Sequence, residues 1–160
     1  MKKCIFAGTF DPPTLGHKFL IEAGLSVFDE VIVAFLINPA KAPYFSIEER
    51  KEMLRLTVDT PRIRVVEWSG TVAELAKRED APFYLRGIRN SIDLDYENAN
   101  YYASKKLNSA LQAVYLPCPQ ELLHVSSTMV RNSLHFQTPI DSYVTAEVKS
   151  YIEERESRKE

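Results

Sequence analysis

The chain has 160 residues, of which 45% are hydrophobic and 26% charged, with only 5 glycines; this predicts one globular domain over 1–160 with room for a core. Lys+Arg number 20 against 22 Asp+Glu, a net charge of -2, which argues against a general nucleic-acid binder. No stretch has the length of a signal-peptide core or a membrane span, and Cys4 and Cys118 lie far apart with no metal-ligand spacing. A cytoplasmic protein with free thiols is expected.

Short apolar runs alternate with amphipathic stretches along the chain. Cys4–Ala7 predicts a strand, Leu15–Phe28 a helix, and the continuous apolar run Val31–Ile37 a strand covered on both faces. Ser46-Ile47-Glu48-Glu49 is a capping box opening a helix to about Val58. Ile63–Val66 predicts a strand, Thr71–Arg78 a helix and Phe83–Leu85 a strand. The helix over Ile92–Leu107 has an expected buried stripe of Ile92, Tyr96, Ala99, Ala103 and Leu107. A strand at Ala113–Leu116, a proline-punctuated loop, a helix from about Ser126 to Leu134 and a final charged helix from about Ser142 complete the pattern. Alternating strands and helices predict an α/β fold: a Rossmann-like, doubly wound, parallel five-stranded sheet with helices on both faces and a C-terminal helix. Ligands of such sheets bind at the carboxyl ends of the strands, so the residues after each strand are the informative ones.

The first such segment is Gly8-Thr9-Phe10-Asp11-Pro12-Pro13-Thr14-Leu15-Gly16-His17. Gly8 permits a tight turn, and Thr9 offers a hydroxyl and an N–H. Thr14 can cap the next helix, which places Gly16 and His17 in a first turn that favours an anion. Alone, His17 would read as a solvated polar residue; the ten-residue string makes it a candidate for chemistry. After the second strand Lys41 stands in a proline-rich loop, a compact charge suited to a phosphate oxygen. Arg86-Gly87-Ile88-Arg89 looks like a phosphate clamp, with surface ion pairs to Asp93 and Asp95 as the bland alternative. Glu97 lies off the apolar stripe of its helix and either hydrogen-bonds a ribose or faces water. In Val125-Ser126-Ser127-Thr128-Met129-Val130-Arg131, Ser126 or Ser127 caps a helix and forms a second anion site.

The tetrad Thr14-Leu15-Gly16-His17 and the string Ser126-Ser127-Thr128-Met129-Val130-Arg131 together resemble the nucleotidyltransferase superfamily. The intervening Arg86–Asn90 run with Asp93, Asp95, Tyr96 and Glu97 is similar to the phosphopantetheine adenylyltransferases within it. The resemblance covers nearly the whole chain. It implies transfer of the adenylyl group of ATP to 4′-phosphopantetheine, giving dephospho-coenzyme A and pyrophosphate, with Mg²⁺ bound through the nucleotide phosphates. It also implies feedback by coenzyme A and a homo-oligomer, a hexamer. His17, Lys41, Thr9 and Arg89 would be catalytic, with His17 stabilising the transition state. Thr9, Phe10, His17, Gly87, Ile88, Arg89, Glu97 and the segment Leu122, Leu123, His124, Val125, Ser126, Ser127 and Thr128 would bind ATP. Thr9, Lys41, Val72 and Arg86 would bind the acceptor. Related cytidylyltransferases, nicotinamide mononucleotide adenylyltransferases and a non-catalytic nucleotide sensor remain the alternatives, separable by which nucleotide and acceptor are consumed.

Overall fold

A computed structural model describes residues 1–160. In chain order the elements are β1 (Lys3–Gly8), α1 (Leu15–Val27), β2 (Glu30–Leu36), α2 (Ile47–Thr57), β3 (Ile63–Trp68), α3 (Val72–Glu79), β4 (Phe83–Ile88), α4 (Ser91–Leu107) and β5 (Gln112–Pro117). A 3-10 turn at Gln120–Leu122 then precedes α5 (Ser127–Phe136) and α6 (Ala146–Ser157). All strand pairings are parallel, in the order β3-β2-β1-β4-β5.

Alternation along the central strands sends side chains into two layers. Cys4 and Phe6 of β1 with Val31, Val33 and Phe35 of β2 pack under α1 and α2, meeting Leu20, Ile21 and Leu54. Ile5, Ala7, Ile32 and Ala34 point the other way, onto Leu75 and Ala76 of α3. With both faces covered, β1 and β2 have no polar side to show, hence their continuous apolar runs. Fully burying each large side chain of this kind contributes roughly 1.5–3 kcal/mol. A third cluster joins Phe45 and Met53 to Val130 of α5 and Val148 and Ile152 of α6, fastening the C-terminal helices to α2.

Three expectations are corrected. β4 runs three residues further than Leu85, because Arg86, Gly87 and Ile88 pair with Tyr115, Leu116 and Pro117 of β5. The final helix starts at Ala146 rather than about Ser142, since Thr145 caps it through the Val148 N–H while Val144 stays in the core. The stripe of α4 is reversed: Ile92, Tyr96, Ala99, Ala103 and Leu107 are all exposed, and Glu97 is the buried residue. The sheet surface beneath α4 carries Tyr84 and Arg86, so the helix turns its carboxylate, not its apolar side, inward.

The chain runs from β1 outward to β3 and then returns to β4 on the other side of β1. The strand order therefore reverses between β1 and β4, which opens a crevice at their carboxyl ends.

Candidate active site

Thr14 caps α1 and forms a reciprocal box in which the third helical residue is His17 instead of the usual glutamate or glutamine. The Thr14 N–H donates to His17 Nδ1 at 2.9 Å. A backbone N–H cannot give up its proton, so Nδ1 is the lone-pair nitrogen and the ring proton sits on Nε2. Phe10 packs edge-on against the ring at 4.8 Å and Phe6 lies 6.0 Å away, which fixes its orientation. Burial, and secondarily the charge of Arg86, push the His17 pKa down to about 4. At neutral pH His17 is an uncharged imidazole with one N–H to offer.

Around it lies a cleft of about 300 Å³ lined by Gly16, His17, Arg86, Gly87, Arg89, Leu122, Val125, Ser126 and Ser127, among others. Ser126 caps α5 through the Met129 N–H at 3.1 Å, and Ser127 Oγ donates to the Pro12 carbonyl at 2.7 Å, tying α5 to the loop after β1. Neither the Ser127 nor the Thr128 N–H has a hydrogen-bond partner in its own chain, as expected of a helix start that receives an anion. Gly87 packs closely: a Cβ there would come within 2.7 Å of a Leu20 methyl and 3.2 Å of Cys118 Sγ, so the Leu20 side chain would have to shift.

The two arginines differ. Arg86 is half-buried; its Nη1 donates to the Ala7 carbonyl at 3.2 Å and its Nη2 pairs with buried Glu97 at 2.7 Å, while its Nε has no partner. Burial works against its charge, but Tyr84 and Glu97 outweigh it and the pKa is raised. Arg89 stands past the end of β4, exposed, and pairs with Asp93 at 3.1 Å. The ion-pair reading thus holds for Arg89, whereas Arg86 chooses Glu97 over Asp93 and Asp95. Glu97 does not face water.

A second cleft of about 760 Å³ adjoins the first at the end of β1, where Gly8 lines one and Thr9 the other. Thr9 and Lys41 line it together with Asp11, Arg50, Glu67 and Arg131. The acceptor set expected from the sequence is therefore divided: Thr9 and Lys41 share this cleft, Arg86 lines the His17 cleft, and Val72 opens α3 against the second core layer and lines neither. Phe10 likewise lines neither. Its ring is buried against Phe6, His17 and Phe35, and its φ of 51° makes it the left-handed residue of the turn, a role the sequence suggested for Gly8. Of the Leu122–Thr128 segment, Leu123, His124 and Thr128 stay outside the cleft. His124 packs near Tyr143, and Thr128 Oγ1 accepts from Arg131. Ile88 ends β4, where its carbonyl accepts from the Cys118 N–H.

Asp11, Arg50 and Arg131 were missed as site residues. Arg131 Nη1 donates to the Asp11 carbonyl at 2.7 Å, and the Asp11 carboxylate accepts the Tyr44 and Phe45 N–H groups at 2.8 and 2.9 Å. Arg131 belongs to the second motif and was legible there. Arg50, inside an amphipathic helix, gives no such signal.

Neutral imidazole, helix N-termini and arginines gathered at a sheet's switch point define a nucleotidyltransferase, and a model of cytidylyltransferase-like proteins matches residues 5–133. The chain is 40% identical over 135 residues to a phosphopantetheine adenylyltransferase of Flavobacterium johnsoniae, covering 84% of this chain and 88% of that protein. It is 37% identical over 145 residues to the one from Caldanaerobacter subterraneus (90% and 91% covered) and 39% over 145 residues to that of Bacteroides thetaiotaomicron (90% and 95%). The chain belongs to the phosphopantetheine adenylyltransferase family. A Vibrio parahaemolyticus structure, provisionally described as a nicotinate-nucleotide adenylyltransferase, shares the fold at a TM-score of 0.68 and 24% identity over 95% of this chain and 92% of that one.

The low His17 pKa has a measurable consequence. No His17 ionisation should shape kcat between about pH 5 and 8. The folded ring resists a proton that the unfolded one accepts near 6.5. The stability it contributes is therefore present above that pH and is lost as pH falls toward 4. Titrating the ring by NMR checks this; a transition near 6.5 in the folded protein would contradict the buried, neutral assignment.

Proposed function

We infer that the protein transfers the adenylyl group of ATP to 4′-phosphopantetheine, releasing pyrophosphate and forming dephospho-coenzyme A. The observation that carries the mechanism is the His17 Nε2–H, held neutral and oriented in a cleft between two helix N-termini. An acceptor phosphate is already anionic and needs no base. A phosphate oxygen attacks the α-phosphorus of ATP, the bond from that phosphorus to the bridging oxygen breaks, and pyrophosphate departs with the electron pair.

His17, Arg89, Ser126, Ser127 and Gly16 line a cleft suited to the nucleotide phosphates, and the His17 proton donates to an oxygen that gains charge. Thr9 and Lys41 hold the attacking phosphate from the adjoining cleft. Arg86 lines the His17 cleft, anchored on Ala7 and Glu97, and is assigned to the acceptor.

Mg²⁺ is proposed as the cofactor. No group of three or more His, Cys, Asp or Glu that could hold a metal is brought together, and the Asp11 carboxylate is engaged by the Tyr44 and Phe45 N–H groups. These residues fit an ion that arrives on the nucleotide. When bound, it neutralises charge on the phosphate oxygens.

Incubation with ATP, Mg²⁺ and 4′-phosphopantetheine, followed by product mass, tests the reading; turnover of CTP with another phosphorylated acceptor would overturn it. Adding coenzyme A to the same assay tests the proposed feedback, which predicts a falling rate.

A homo-oligomer, a hexamer from the resemblance, is also proposed. Supporting it, α4 exposes Ile92, Tyr96, Tyr102 and Leu107 on a face that its own chain leaves uncovered. Ile92→Glu with Tyr96→Glu should lower the mass measured by light scattering. An unchanged multimer would remove α4 from the interface. No helix is long and apolar enough to cross a membrane, and with both cysteines free a cytoplasmic location is proposed.

A further inference from the structure

Every backbone polar group of the dipeptide Tyr44–Phe45 is taken by a side chain from elsewhere. Asp11 accepts both N–H groups. Arg155 of α6 donates to the Tyr44 carbonyl at 3.3 Å, and Arg50 Nε donates to the Phe45 carbonyl at 3.1 Å. This dipeptide closes the loop that carries Lys41. Arg50 then reaches further, for its Nη1 donates to the Thr9 carbonyl at 2.8 Å. One guanidinium spans the two backbone segments from which Thr9 and Lys41 project into the larger cleft.

Its surroundings are unusual for a charge. Arg50 is 4% exposed, lies 5.8 Å from the centre of the Phe35 ring, and has its pKa pushed down by burial. No carboxylate lies within ion-pair distance of it; the charges of Asp11 and Glu67 act on it only from further off, and burial outweighs them. A buried cation without an ion-pair partner is costly, and methionine would fill the same space in α2 without that cost. Arg50 also borders the cleft, beside Lys41 and Arg131, but its guanidinium is committed to the two backbone carbonyls.

We propose that Arg50 is a positioning residue for the reaction, holding the Thr9 turn against the Lys41 loop so that both meet the acceptor's phosphate at the correct separation. The inference rests on the reaction proposed above. Thr9 and Lys41 touch the phosphate, and Arg50 acts through them.

The test compares Arg50→Ala, Arg50→Met and Arg50→Lys in the full chain, with steady-state kinetics for both substrates, thermal midpoints, and added guanidinium chloride at low millimolar concentration. A misplacement of this kind should lower kcat of Arg50→Ala by roughly 10²-fold, with KM for ATP changed by less than about threefold. Guanidinium should restore kcat of that variant by about tenfold and leave the wild type unchanged, a response that lost packing cannot give. Arg50→Lys, which keeps the charge but reaches one carbonyl at a time, should fall between wild type and Arg50→Met. Folded Ala or Met variants with wild-type kcat would overturn the proposal, and so would guanidinium that raises the thermal midpoint but not the rate. If Arg50→Ala does not fold, equal kcat for the Lys and Met variants overturns it. Failure of the wild type itself to turn over would overturn the reaction, whereas wild-type turnover with indifferent Arg50 variants overturns this inference alone.

Discussion

His17→Ala should lower kcat by roughly 10²–10³-fold while KM for ATP changes little and the protein stays folded. The size follows from what is removed: one preorganised N–H donor aimed at an oxygen whose charge grows as the bond to pyrophosphate breaks. Ground-state ATP gains less from that donor than the transition state does, so the loss appears in kcat. His17→Asn is the finer probe, because it can still form a capping interaction with Thr14 and offers an N–H from a different position. It should keep the thermal midpoint near wild type and recover part of the rate. Circular dichroism and steady-state kinetics on the two variants separate a catalytic donor from a helix-capping residue. A folded His17→Ala with nearly full kcat would reduce His17 to a cap.

Arg86→Ala should cost both stability and acceptor use. It leaves Glu97 buried without its cation, and breaking a buried pair in this way costs roughly 3–5 kcal/mol. For a chain of this size that lowers the thermal midpoint by on the order of 10 °C. The double variant Arg86→Met with Glu97→Gln removes both charges together and should recover most of the midpoint. It should not recover KM for 4′-phosphopantetheine, because the guanidinium is still missing. Recovery of both would make the pair a structural device only. Arg89 provides the contrast: exposed, and paired with Asp93 on the surface, Arg89→Ala should leave the midpoint within about 1 °C and act on ATP use, since exposed pairs contribute little to stability.

The element order, the parallel sheet and the crevice at the ends of β1 and β4 were legible because strand-length apolar runs and capped helices alternate without ambiguity. Gly16, His17, Arg86, Arg89, Ser126 and Ser127 were legible as candidates because each follows a strand or opens a helix; that they line one cleft, with Arg86 apart from Thr9 and Lys41, was not. What escaped is instructive. The period of Ile92, Tyr96, Ala99, Ala103 and Leu107 identified a helix correctly, but periodicity marks an apolar face without saying what covers it. The inward side of α4 is set by Tyr84 and Arg86 on the sheet below, and they select Glu97. Arg50 was hidden because its partners are backbone carbonyls, which leave no trace in a residue pattern. The division of Thr9 and Lys41 from Arg86 depends on where a surface loop folds, and loop paths are not periodic.

The reaction is tested most directly by supplying the purified protein with Mg²⁺, 4′-phosphopantetheine and either ATP or CTP and identifying the products by mass. With ATP, dephospho-coenzyme A and pyrophosphate are expected in equal amounts, and with CTP little product. Robust transfer from CTP, or no pyrophosphate from ATP in the presence of 4′-phosphopantetheine, would contradict it.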